Sequence, residues 1–164
     1  MPVTIAEFRR ALGQFATGVT VVTVTRDDGS VHGMTANSFA SVSLEPLQIL
    51  VCVAHRALTY RLVNERGNFG INVLSENQEE MARFFALPEQ DPQTARQLGV
   101  AFLSSQRGTP LLDESLVQLD CRLVETVNSG DHAIFIGEVV DVRMREGKPL
   151  LFHAGQYKRI GTAD

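Results

Sequence analysis

The alternation of apolar and polar residues changes period several times along the chain, and each change marks an element. Thr4-Ile5-Ala6-Glu7 has the form of a capping box, in which the Thr hydroxyl and the Glu carboxylate each satisfy a free amide at a helix start. Ile5, Phe8, Leu12 and Phe15 keep helical spacing, so the pattern predicts an amphipathic helix over residues 5–16, ended by Gly18. Val19 to Thr25 is rich in β-branched residues and precedes the turn Asp27-Asp28-Gly29-Ser30. That is the signature of a strand and a hairpin. The second arm starts at Val31 and is expected to run on towards Pro46.

Leu47 to Ala54 is apolar at both alternating positions, which predicts a strand buried on two sides. His55 to Tyr60 leads into a short helix ending near Gly67, and Phe69 to Leu74 reads as another strand. Ser75-Glu76-Asn77-Gln78 has the form of a second capping box, opening a helix through Met81, Phe84 and Phe85 that stops before Pro88. Residues 88–110 carry three prolines and little periodicity, so they are expected to form a long surface excursion. Val117, Leu119, Cys121 and Leu123 then alternate with Gln118, Asp120 and Arg122, the pattern of a strand with one wet face. Asn128-Ser129-Gly130-Asp131 turns the chain into a long strand from Ala133 to Met144. A turn at Glu146-Gly147-Lys148-Pro149 precedes a last short strand around Leu150 to Phe152 and Tyr157. Six or seven strands, two or three short helices and no βαβ alternation predict a mainly β protein, an antiparallel barrel with helical decoration.

Composition adds limits. At 164 residues the chain is expected to form a single domain over 1–164 with a sizeable core. A net charge of −4 without runs of one sign points to neither nucleic acid nor a membrane surface as partner. No apolar stretch approaches the roughly 20 residues that cross a bilayer. Glu7, Arg9 and Arg10 interrupt the apolar residues near the start, against a signal peptide. Cys52 and Cys121 lie in strand-like runs and form no C-x-x-C, so they read as reduced core residues of a cytoplasmic protein.

Several chemistries find no motif. There is no G-x-G-x-x-G after a strand, no G-x-x-x-x-G-K-[ST] and no G-x-S-x-G. The four histidines, His32, His55, His132 and His153, have no metal-ligand spacing, and no metal site is expected. Three pieces remain. Gly33 to Pro46 interleaves Thr35, Asn37, Ser38, Ser41 and Ser43 with Met34, Ala36, Phe39, Val42 and Leu44. It is either a bulged strand whose hydroxyls bond local backbone or a wall offering amides and short side chains to a heteroaromatic edge. His55-Arg56, where a strand ends and a helix begins, is either a solvated turn or a phosphate site. His132 after Gly130-Asp131 is either an exposed hairpin residue or an imidazole at a barrel mouth.

Taken in order, Phe15-Ala16-Thr17-Gly18-Val19-Thr20-Val21-Val22-Thr23, Gly33-Met34-Thr35-Ala36-Asn37-Ser38-Phe39, Ser41-Val42-Ser43-Leu44-Glu45-Pro46 and Gly130-Asp131-His132 resemble the short-chain flavin reductase family. Those proteins are the reductase components of two-component flavin-dependent monooxygenases. Phe69-Gly70-Ile71-Asn72-Val73-Leu74 and Pro149-Leu150-Leu151 with Tyr157 extend the likeness over nearly the whole chain, with Leu47 where the family often has a second proline.

The resemblance implies an antiparallel Greek-key split β-barrel that binds FMN, usually a homodimer with a flavin at each subunit interface. It implies hydride transfer from NADH or NADPH to FMN or FAD, and delivery of reduced flavin to a partner monooxygenase. Met34, Thr35, Ala36, Asn37 and Ser38 would line the ring, with Ser41, Val42 and Ser43 nearby. Cys52, Val53 and Ala54 would pass along the flavin, while His55, Arg56 and Thr59 would hold its phosphate. Phe69 and Gly70 would close the pocket, and His132 would be the catalytic-side residue facing nicotinamide, with Tyr157 a second contact. Two other readings share the fold: a reductase that keeps its flavin and reduces a corrinoid or quinone-like acceptor, and a flavin-binding module without catalysis.

Overall fold

The structure, a computed structural model, describes residues 1–161. Four helices and twelve strands follow in the order α1 (Ile5–Leu12), β1 (Thr17–Gly18), β2 (Thr20–Thr25), β3 (Val31–Ala36), β4 (Phe39–Leu44), β5 (Leu47–Ala54), α2 (Leu58–Arg66), β6 (Asn68–Val73), α3 (Glu79–Phe85), α4 (Pro92–Gln97), β7 (Phe102–Ser104), β8 (Pro110–Leu112), β9 (Val117–Ser129), β10 (His132–Met144), β11 (Leu151–His153) and β12 (Gln156–Lys158). Seven strands form one antiparallel sheet in the order β3-β2-β6-β9-β10-β5-β4. The remaining strands make two small sheets, β1-β11-β12 and β7-β8, so the described residues hold more strands than the six or seven expected in all, and four helices in place of two or three.

The two edges of the large sheet, β3 and β4, are joined by only Asn37 and Ser38. Two residues reach a few ångströms, so the sheet must curl until its edges meet. No ladder bonds β3 to β4, and the barrel is therefore split along this seam. Ser38 pins the junction: its Oγ donates to the Cys52 carbonyl at 3.0 Å, and the Cys52 amide points back at the Ser38 Oγ at 3.2 Å. The expectation of one long arm from Val31 to Pro46 is thus corrected. The chain leaves one edge and starts the other, and a register shift between Ser41 and Ser43 gives β4 its bulge.

Inside the barrel lie Val22, Val24, Ile49, Val51, Val53, Leu62, Val63, Phe69, Ile71, Cys121 and Phe135, with α2 closing one opening. A second apolar cluster, including Val19, Val21, Leu74, Ala82, Phe84, Phe85, Leu112 and Leu150, fills the space between β2 and α3. β2 is therefore buried on both faces, its alternate valines serving the two clusters, and β6 beside it is buried on both faces as well. β5 was expected to be such a strand, but only Ile49, Val51 and Val53 turn inward, while Leu47 is exposed and Leu50 and Cys52 are half-buried.

Other boundaries also differ. Thr4 and Glu7 form the expected capping box, but α1 stops at Leu12 with Gly13 as its cap. At Ser75 only half of the box forms: Gln78 Oε1 accepts the Ser75 amide at 3.0 Å, and the helix begins later, at Glu79. Ser75 is held by a bridge to Pro149, so it is fixed by the sheet before it can cap. The stretch 88–110 is more ordered than expected. It holds α4, capped by Asp91 with Pro92 in its first turn, and β7, which pairs with β8.

Candidate flavin site

A cavity of about 640 Å³ opens between β3, the β5–α2 junction and the residues at and after the end of α3. β3 supplies His32, Gly33, Met34 and Thr35; Ala54, Arg56, Ala57, Leu58 and Thr59 come from the β5–α2 junction; Phe85 to Pro88 and Gln90 form the far wall. Gly33 is what allows α3 to sit so close. A Cβ there would stand 2.5 Å from the Phe85 ring, and the Gln90 amide donates to the Gly33 carbonyl at 2.6 Å.

The β5–α2 junction has an unusual start to its helix. Ala57 is the N-cap and offers no side-chain acceptor, so the first-turn amides of Leu58 and Thr59 find no partner among the described residues. An exposed guanidinium, Arg56, stands beside them and pairs with no carboxylate among the described residues. Free amides, the positive end of a helix and an unpaired arginine are the components of an anion site, and they suit the phosphate of a flavin nucleotide. A carboxylate at this spot would have capped the helix and repelled the ligand.

The His55 ring is turned elsewhere. Its Nε2 lies 3.0 Å from the Asn128 Oδ1, and Tyr60 packs on its edge at 5.0 Å. His132 is exposed and opposes Ala54, a residue of the cavity wall, in the β10–β5 register. Its Nδ1 is 2.7 Å from Asp131 Oδ1, and the Asp131 carbonyl accepts the His55 amide at 3.0 Å. The hydrogen bond and charge of His132, with a smaller contribution from Arg56, hold the Asp131 carboxyl below the usual range. The fold therefore brings together the two histidine-bearing pieces, which are 77 residues apart from His55 to His132.

The Met34 to Ser43 stretch divides in two. Thr35 Oγ1 donates to the Ala82 carbonyl at 2.7 Å, the Ser38 Oγ is used at the seam, and the Ser43 Oγ accepts the Glu45 amide at 3.2 Å. Only Ser43 bonds local backbone as expected; Thr35 and Ser38 direct their hydroxyls to carbonyls of distant segments, α3 and β5, so they tie the fold together instead. Asn37, Ser41 and Val42 are exposed on the seam, and β3 and β4 keep one unpaired backbone edge each because they end the sheet. The groups left free for a planar ligand are these amides and the Asn37 and Ser41 side chains.

Some residues that the resemblance assigns to the site lie elsewhere. Val53 and Phe69 point into the barrel core, and Phe69 packs on Phe135. Gly70 is buried where a Cβ would strike Thr23 and the Pro110 carbonyl, so it serves the fit of β6 to β8. Tyr157 packs against Phe152 and under the Arg83 guanidinium on the other side of α3. The cavity wall also includes residues the sequence reading left out: His32, Gly33, Phe85 and Gln90. His32 and Phe85 looked like ordinary strand and helix positions, and only the α3–β3 packing turns them to one cavity.

The sequence pattern of the family described as "Flavin reductase like domain" matches residues 12–161. An NADH-dependent flavin reductase of a Rhodococcus species is 39% identical over 160 residues, covering 96% of this chain and 88% of that protein. The reductase subunit HsaB of a flavin-dependent monooxygenase from Rhodococcus jostii is also 39% identical, over 93% of this chain and 76% of its own length. Among solved structures, the NADH:FAD oxidoreductase SgcE6 of Streptomyces globisporus superposes with a TM-score of 0.87 at 34% identity, covering 99% of this chain and 100% of that one. With a split antiparallel barrel and these relatives, the chain belongs to the flavin reductase like family.

Proposed function

We infer that the protein is an NADH-dependent flavin reductase that reduces FMN or FAD and supplies the reduced flavin to a partner monooxygenase. The observation that carries this reading is the uncapped start of α2 beside the unpaired Arg56, opening on a cavity walled by Met34 and Thr35. When bound, the flavin supplies the ring that accepts the hydride. The chain's own residues bind and orient. Arg56 and the amides of Leu58 and Thr59 hold the phosphate; Ala36, Asn37, Ser38, Ser41 and the free edges of β3 and β4 frame the ring. Val42, Ser43, Cys52 and Ala54 continue that wall by their backbone, and His55 keeps the junction in place through Asn128. His132, held by Asp131, meets the nicotinamide side. Positioning of donor and acceptor supplies the rate, with no side-chain acid or base required at the hydride.

Purified protein mixed with FMN or FAD should oxidise NADH, read by the loss of nicotinamide absorbance. No turnover with either flavin would sink the proposal. In His132→Ala, use of NADH should weaken while flavin affinity is mostly kept, and an equal loss of flavin binding would put His132 on the wrong side of the site.

The working unit of this reading is a homodimer of single-domain chains. Ile5, Phe8, Leu12 and Phe15 stand on or just after α1 with 58% to 77% of their surface exposed, an apolar stripe that a second copy would cover. Sedimentation should give twice the mass of the chain, and Phe8→Glu should shift it to the monomer. A cytoplasmic location fits two free cysteines, of which the Cys121 thiol is pushed up to about 12 by burial. No helix among the described residues is long and apolar enough to cross a membrane.

A further inference from the structure

His32 is almost wholly buried, at 6% exposure, yet it is not an inert core residue. Both of its ring nitrogens are engaged. Nδ1 lies 3.2 Å from an Arg26 Nη2, and Nε2 lies 3.0 Å from the Thr59 Oγ1. A guanidinium can only donate, so Nδ1 must accept and cannot carry a proton. A neutral imidazole then has its single N–H at Nε2, and that group donates to the Thr59 oxygen. Burial, aided by the Arg26 charge, keeps the ring from taking a second proton until about pH 4.

The consequence falls on Thr59. Its oxygen is occupied by the His32 N–H, which turns the hydroxyl proton away from the histidine. No acceptor takes that proton among the described residues, and Thr59, though buried, lines the cavity. Thr59, at the second position of α2 beside the free amides of the helix start, lines the same cavity as Arg56. The missing acceptor must arrive with the ligand.

We propose that His32 is a positioning residue which, held by Arg26, fixes the Thr59 hydroxyl as a hydrogen-bond donor to a phosphate oxygen of the flavin nucleotide. The inference rests on the phosphate reading of the cavity given above. It makes the flavin phosphate, rather than the ring, the part that His32 discriminates. A protonated His32, or its other tautomer, would break the arrangement, because Arg26 could then no longer donate to Nδ1.

The test compares FMN with riboflavin, which lacks only the phosphate, by quenching of flavin fluorescence on the full-length protein. Wild type should bind FMN more tightly than riboflavin. Thr59→Val and His32→Leu should each reduce FMN affinity about tenfold, the scale of one hydrogen bond to a charged group, and leave riboflavin affinity unchanged. The double variant should lose no more than either single one, and His32→Gln, whose amide can both accept from Arg26 and donate to Thr59, should recover most of the loss. Additive losses, or equal losses for FMN and riboflavin, would reduce His32 to a packing residue and overturn the proposal. If wild type prefers FMN and His32→Leu keeps that preference, the relay alone fails. If wild type binds both flavins equally, the phosphate site fails and the relay with it. Nitrogen-15 imidazole spectra of the unmodified protein give an answer that does not depend on any variant folding. They should show His32 neutral with its proton on Nε2 between pH 6 and pH 8, and a proton on Nδ1 overturns the arrangement.

Discussion

The chain starts two of its helices in opposite ways. At α1 every group is self-contained: Thr4 accepts the Glu7 amide at 3.2 Å, Glu7 Oε2 accepts the Thr4 amide at 2.9 Å, and no ligand is needed. At α2 the cap is Ala57, which can do neither, and the neighbouring side chain is a cation. The first start is built for stability on a surface whose apolar side is left uncovered. The second forgoes a cap and keeps its amides for something else. A capping residue at a helix start usually stabilises by about 1 kcal/mol, so its omission beside Arg56 marks a place where binding outweighs local stability. A missing cap is thus more informative than a present one.

Acid should separate the two starts most strongly. His32, behind the α2 start, stays neutral to about pH 4, whereas an imidazole in the unfolded chain takes its proton below the ordinary value of 6.5. The folded state therefore loses stability as pH falls from about 6.5 to about 4, by up to about 3 kcal/mol. In α1 the Glu7 carboxyl is held below its usual range, chiefly by the hydrogen bond from the Thr4 backbone and then by the Thr4 hydroxyl, so that cap fails only at lower pH. Urea titrations of wild type and His32→Gln at pH 7.5 and 4.5 should show the variant losing less on acidification. Equal losses would mean that His32 does not carry the effect.

Replacing the cation is the next largest change. Arg56→Ala should weaken FMN binding tenfold or more, roughly the strength of a charge-assisted pair, with riboflavin unaffected. Giving α2 the cap it lacks should sharpen the contrast. Ala57→Asp should raise stability by about 1 kcal/mol while lowering FMN affinity, because the new carboxylate takes the amides and repels phosphate. A gain in stability with no loss of FMN binding would show that those amides do not serve the ligand. The mirror experiment is smaller: Thr4→Ala should cost about 0.5–1 kcal/mol in the unfolding free energy and leave flavin affinity as it was.

How much of this could be read from residues alone follows the same division between local and distant causes. The α1 box was legible because all of its partners lie within four residues. The box at Ser75 was misleading for the opposite reason, since the bridge to Pro149, far along the chain, had already fixed Ser75. Asp91-Pro92 carried a readable helix start inside the supposed excursion, an acceptor followed by a residue with no amide to satisfy. The hairpins of the barrel followed from turns and alternation. Its closure did not, because nothing near Asn37 and Ser38 says that the strands on either side are the two edges of one sheet. For the site, Arg56 and Met34 stood out from their local pattern and Thr59 through family resemblance. Phe85, Gln90 and His32 did not, because each joins the cavity only where α3 docks on β3 across Gly33.

The two-residue link at the seam also sets how this barrel can fail. A closed barrel has no free strand edges, whereas this one keeps two, joined along the chain by Asn37 and Ser38. A protease cut or a long insertion between those residues would spare every ladder in the sheet. It would nonetheless leave the two edges, which no ladder joins, with only core packing and α2 to keep them together, and an edge that parted would be open to pairing with another strand.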